Sequence, residues 1–234
     1  MKPLALQTVL SHLSEAHGEL RLLFARLQFA VFGEVDDESV KDLEASVAQE
    51  ASRNPLTEET AFSAMARAYR HLNIAWNGRN ASEERVRRCN PADVARWSKF
   101  PGDAVFRDLW PAPSRCRGTP RRPGRGPVAP NSLQAAFLQM GVRKLSILCY
   151  RIANALGGPA VVVSRPKGLR AGIEDDPFRE VEFARLMHRI YSEMNTAWSY
   201  RKEMRCENPT RQTFRRRRQF PHVFLSAVDT HSAL

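Results

Sequence analysis

Residues 55–79 recur 122 positions later as residues 177–201. Nine of the 25 columns are identical: Pro55/Pro177, Glu58/Glu180, Met65/Met187, Arg67/Arg189, Tyr69/Tyr191, Asn73/Asn195, Ala75/Ala197, Trp76/Trp198 and Arg79/Arg201. Composition alone gives about one or two. Tyr and Trp are rare residues, so their coincidence weighs more than a shared Leu or Ala. A segment carried twice predicts two copies of one structural unit, each offering the other an equivalent surface.

The likeness extends on both sides. Upstream, at a shift of 125, residues 20–31 fall on 145–156, with Arg26 on Arg151 and Ala30 on Ala155. Downstream, Asn90 and Pro91 answer Asn208 and Pro209, and Phe100 and Pro101 answer Phe220 and Pro221. The shift changes between the predicted helices, where loops accept insertions. The chain therefore reads as a first repeat over residues 1–101, a linker over 102–130 and a second repeat over 131–234.

Each copy reads as three helices, and the class as all-α. Helix A is expected over about residues 6–32 and again over about 132–156, from apolar residues at helical spacing. Gly33 and Gly157 stand just past those ends, where a left-handed residue closes a helix. Helix B is expected to begin at Asn54-Pro55 and at Asp176-Pro177, because a capping Asn or Asp before proline is a start signal. It should run through Trp76 and Trp198. A shorter helix C is expected to start at Asn90-Pro91 and Asn208-Pro209 and to stop before Pro101 and Pro221. The linker is rich in proline and glycine and cannot hold a helix. Residues 160–164 are β-branched and suit a short extended segment. Two helical hairpins of this kind can close into a four-helix bundle with approximate two-fold symmetry.

Composition excludes some classes. With 43% apolar and 26% charged residues, the chain has ordinary globular chemistry rather than that of a disordered one. No apolar run approaches the roughly 20 residues of a membrane span. The hydrophobic stretch at 20–32 is broken by Arg21, Arg26 and Gln28 at helical spacing, which predicts an amphipathic helix. The first residues lack the pattern of a secretory signal or of an Arg-rich presequence, so the cytoplasm is expected. Cys89, Cys116, Cys149 and Cys206 form no CxxC pair, and neither a disulfide framework nor zinc is expected. No cofactor is expected.

The net charge of +11 is unevenly placed. Residues 1–60 hold 11 acids and 5 bases, and sum to −6. Residues 61–128 hold 14 bases and 5 acids, or +9, and residues 129–234 hold 17 and 9, or +8. An acidic start can lie across a basic remainder, in the same chain or in a second copy.

Within helix B, Tyr69, Asn73 and Trp76 share one face, as do Tyr191, Asn195 and Trp198. Arg79 and Arg201 follow each Trp by three residues, within stacking reach of the indole. These eight residues form the candidate surface for a ligand or protein partner. The competing expectation is a repeated core seam whose polar groups are satisfied internally. A second candidate is basic. Arg215, Arg216, Arg217 and Arg218 are contiguous, and the linker carries Arg117, Arg121, Arg122 and Arg125, a composition suited to phosphate contact with RNA or DNA.

No nucleophile elbow, phosphate loop or HExxH motif is present. The best catalytic grouping is Arg67, Arg70 and His71, but the second copy places Glu193 where His71 stands, so His71 is expected to be a surface or interface residue. The acids at 36–38 and 174–176 are expected to serve turns and caps. The sequence thus predicts a non-enzymatic interaction protein that binds an acidic or helical partner, with nucleic-acid binding as the alternative.

Overall fold

The computed structural model describes residues 3–99, 101, 132–157, 166, 169 and 178–200. All regular structure among these residues is helical, and none is strand. Seven α-helices are present: α1 Pro3–Phe32, α2 Glu44–Arg53, α3 Glu58–Gly78, α4 Glu83–Arg87, α5 Pro91–Trp97, α6 Ser132–Ala155 and α7 Glu180–Tyr200, with a 3-10 turn at Lys41–Leu43. No helix among the described residues is long and apolar enough to cross a membrane.

Both long A helices stop at the expected glycine. Gly33 has φ 79°, and its N–H donates to the Phe29 carbonyl at 2.8 Å. Gly157 has φ 68°, and its N–H donates to the Asn154 carbonyl at 2.9 Å. Left-handed backbone costs glycine nothing and costs other residues roughly 1 kcal/mol, which fixes where each helix ends.

The start of helix B differs from expectation. Asn54 closes α2, with φ −142° and ψ 84° and its N–H donating to the Glu50 carbonyl. Proline forces the preceding residue out of the helical region, so Asn54-Pro55 works here as a stop. The cap of α3 is Thr57: its hydroxyl oxygen accepts from the Thr60 N–H at 3.1 Å, and Thr60 Oγ1 accepts from the Thr57 N–H at 3.0 Å. This reciprocal arrangement satisfies two donors that the first turn would leave orphaned. At the second expected helix B, α7 begins at Glu180, and Asp176 and Pro177 lie outside the described residues.

Helix α5 follows the expected grammar. The Asn90 side chain accepts from the Asp93 N–H at 3.0 Å and Pro91 occupies the first turn. Helices α2 and α4 have no counterpart in the three-helix reading. The second helix C, residues 160–164 and the linker over 102–130 lie outside the described residues.

The chain divides into two compact units, Met1–Gly18 with Arg67–Pro111 and Val142–Ile190, and Glu19–Ala66 with Ala112–Gly141 and Tyr191–Leu234. Each of the four long helices contributes part of its length to each unit. In the first unit α3 and α7 run antiparallel: Trp76 meets Phe183, with ring centroids 5.0 Å apart, and one turn onward Arg79 reaches back to Glu180 at 2.7 Å. Arg151 of α6, only 2% exposed, donates through Nε and Nη2 to the two carboxylate oxygens of Glu182 at 3.0 Å each. Helix α5 is bound to the end of α3 by side-chain amides. Asn73 donates to the Ser98 carbonyl at 2.7 Å, and Asn77 donates to those of Trp97 and Lys99. The buried Trp97 ring packs over Gly78, where even a Cβ would stand in ordinary contact at 3.7 Å.

In the second unit Phe62 of α3 packs on Trp198 of α7, with centroids 5.4 Å apart. Leu20, Leu23, Phe24 and Leu27 of α1 are buried in the same unit; a fully buried side chain of this size stabilises by about 1.5–3 kcal/mol. The acidic loop after α1 is anchored from the helices. Arg21 donates to the Ser39 carbonyl and to Asp42, Gln139 donates to Asp37, and Arg26 donates to the Asn54 carbonyl at the end of α2.

Candidate functional site

The Tyr–Asn–Trp ridges lie in the protein interior. Tyr69, Asn73 and Trp76 in the first unit are 0%, 4% and 0% exposed, and Tyr191, Asn195 and Trp198 in the second are 0%, 4% and 4% exposed. One face of a 3.6-residue helix carries all three, so a single buried stripe takes them together. In the first ridge the Asn73 amide donates to the Ser98 carbonyl at the end of α5.

Arg79 is bound on three sides. Its guanidinium carbon lies 3.9 Å from the centre of the Trp76 ring. Nε and Nη2 both contact Glu180 Oε1 at 2.7 Å, and Nη1 donates to the Trp76 carbonyl at 2.9 Å. A planar guanidinium can stack and donate at once, which an ammonium cannot. Arg201 lies outside the described residues. So do Arg117, Arg121, Arg122, Arg125, Arg215, Arg216, Arg217 and Arg218.

Two histidine contacts were not anticipated from sequence. His71 is half-buried, and its Nδ1 lies 3.1 Å from Nδ1 of His12 on α1. Burial pushes the His12 pKa down and the facing His71 pushes it further, while Glu15 opposes both. A signal was available: His12 and His71 each sit next to a fully buried leucine, Leu13 and Leu72, which turns them to the edge of the core. On the same helix His17 Nε2 meets Ser146 Oγ of α6 at 2.7 Å. That hydroxyl donates to the Val142 carbonyl at 3.0 Å, so its oxygen accepts from the imidazole. A serine poised for attack holds the opposite polarity, giving its proton to the histidine.

Cys149 is fully buried, and burial pushes its thiol up to about 12. A thiol in that state is neither a nucleophile nor a metal ligand. Among the described residues no group of three or more His, Cys, Asp or Glu side chains is placed to hold a metal ion.

Exposed charge gathers on α4 and α5. Arg85 pairs with the buried Asp93 carboxylate and ties the two short helices together. Arg88, 80% exposed, pairs with Glu84, and Arg87, Arg96 and Lys99 are exposed around them. Comparison with family models, curated proteins and solved structures finds no match to the chain.

Proposed function

We propose that this chain is a non-enzymatic interaction protein that binds an acidic or helical protein partner. Its architecture in this reading is a duplicated helical unit, residues 1–101 and 131–234, joined by the basic linker and closed into a pseudo-two-fold four-helix bundle. Matched details support the duplication. Trp76 meets a phenyl ring at 5.0 Å and 56°, and its counterpart Trp198 meets one at 5.4 Å and 54°. Gly33 and Gly157 close equivalent helices with the same left-handed turn.

The observation that carries the function is the run of exposed bases on α4–α5: Arg87, Arg88, Arg96 and Lys99. It belongs to the stretch 61–128 that sums to +9, and such a surface attracts acidic partners by long-range steering as well as by contact. The first ridge is tied to this surface by Asn73, whose amide donates to the Ser98 carbonyl at the end of α5. The test is affinity recovery from the native cell with nuclease treatment as control, comparing the natural chain with the triple variant R88E/R96E/K99E. A nuclease-resistant protein partner that the variant fails to recover is the expected result. Recovery that is unchanged by charge reversal discards the reading.

The contiguous Arg215, Arg216, Arg217 and Arg218, with the linker arginines, favour a second reading as a nucleic-acid-binding protein. Phosphate contact of this kind falls steeply with salt. Purified protein carrying nucleic acid that about 1 M salt removes supports this reading; clean protein that leaves nucleic acid unretarded at low salt dismisses it.

A further inference from the structure

We propose that His12 and His71 form a proton-counting latch between α1 and α3, closed while the pair holds one bridging proton and opened by a second. The geometry is head-on. The two Nδ1 atoms are 3.1 Å apart and the ring centroids 5.3 Å apart, so little of the centroid separation is sideways offset. Each Nδ1 points at the other rather than past it.

One proton fits between two such nitrogens, and two do not. A neutral imidazole carries its hydrogen on one nitrogen and a lone pair on the other, so one ring donates from Nδ1 and the other accepts. When both rings are cationic, both Nδ1 atoms carry hydrogens. With N–H bonds of about 1.0 Å, a 3.1 Å separation leaves the two hydrogens only about 1.1 Å apart. The contact must then break, and two adjacent positive charges add repulsion. The cost falls on α1–α3 packing inside the first unit, because the histidines are 59 residues apart and only tertiary structure joins them.

The surrounding charges do not cancel this. Those acting on His12 are His71 across the contact and Glu15 on its own helix, and only Glu15 favours the cation. Helix α3 adds Arg67 and Arg70 within one turn of His71. Helix α6, which meets α1 at His17 and Ser146, brings Arg143 and Lys144 beside that contact. Of all these groups His71 and Glu15 are the two whose charge acts on His12, and His71 opposes its protonation.

Because the folded pKa of His12 lies below the unfolded value of 6.5, the latch is at full strength above that pH. One added proton can sit on an Nε2 and leaves the bridge intact; the latch is lost when His12 takes the proton that makes both rings cationic, as pH falls below 6.5 and through the folded value. The experiment is a double-mutant cycle on the full chain, H12A, H71A and H12A/H71A, with urea midpoints at about pH 7.5 and about pH 5. Coupling that stabilises at the higher pH and is lost or reversed at the lower is expected; coupling equal at both overturns the latch. The second measurement needs no variant to fold. In the wild-type protein, imidazole nitrogen NMR should show one protonated and one bare Nδ1 near neutrality, with the second proton taken up in a separate, more acidic step. Two rings that titrate independently near the free value sink the proposal.

Discussion

Arg79 lies over the indole of Trp76, its guanidinium carbon 3.9 Å from the ring centre, while the same group holds Glu180 of α7. One side chain thereby joins an aromatic of its own helix to the first turn of another. Arg79→Ala should cost about 2 kcal/mol, since it removes a buried stack, the side-chain donor to the Trp76 carbonyl and the ion partner of Glu180. Arg79→Lys should recover less than half of that, because an ammonium cannot make two donations and a planar stack together. Glu180 is 42% exposed, so Glu180→Gln should cost under about 1 kcal/mol. Urea midpoints at matched protein concentration read all three.

Trp76 and Phe183 are the ring pair closest to that ion pair. Trp76→Ala should destabilise by about 3–5 kcal/mol through the cavity it leaves. A double-mutant cycle with Phe183→Leu should give about 0.5–1.5 kcal/mol of coupling. A coupling near zero would mean that the rings merely share a hydrophobic space.

Thiol labelling should separate two cysteines. Cys89 is exposed and Cys149 is buried. With its pKa pushed up to about 12, Cys149 holds essentially no thiolate at neutral pH. Iodoacetamide on the native protein should alkylate Cys89 within minutes and reach Cys149 only after denaturation, as peptide mass spectrometry will show.

The Arg85 guanidinium beside Asp93 holds its carboxyl below the usual value of 3.8. A lowered carboxylate contributes stability that is present above 3.8 and lost as pH falls through the folded value. Fluorescence of the buried Trp97, on the same short helix, should therefore change in acid below about pH 4 in the natural chain. In Asp93→Asn the spectrum should already be altered at neutral pH and respond less to acid.

Much of this fold is legible in the sequence, at the places where one residue has one physical use. Gly33 and Gly157 adopt left-handed backbone that few other residues tolerate, and Asn90-Pro91 opens α5 as its capping chemistry implies. Asn54-Pro55 has two uses. The dipeptide can open a helix or forbid one from continuing, and what decides is whether a helix runs straight into it. Helix α2 does, ending at Arg53, but with Val47 as its one buried residue it carries little apolar pattern to signal it. The acids around it look like loop residues until Lys41 is seen paired with Glu44 and Arg26 with Glu50. The neighbouring leucines put His12 and His71 at the edge of the core, but their contact with each other was not legible, because a spacing of 59 residues says nothing until two helices are laid side by side.

Arg151 gives the pairing of α6 with α7 a single permitted alignment. Hydrocarbon side chains tolerate sliding, since one leucine greets another much as its neighbour did. A guanidinium sealed from water does not: displaced by one turn, about 5.4 Å, it would face apolar atoms with its charge uncompensated, at a cost of several kcal/mol. Glu182 is thus the tooth that this notch accepts, and the two helices are keyed like a lock that admits one depth of insertion.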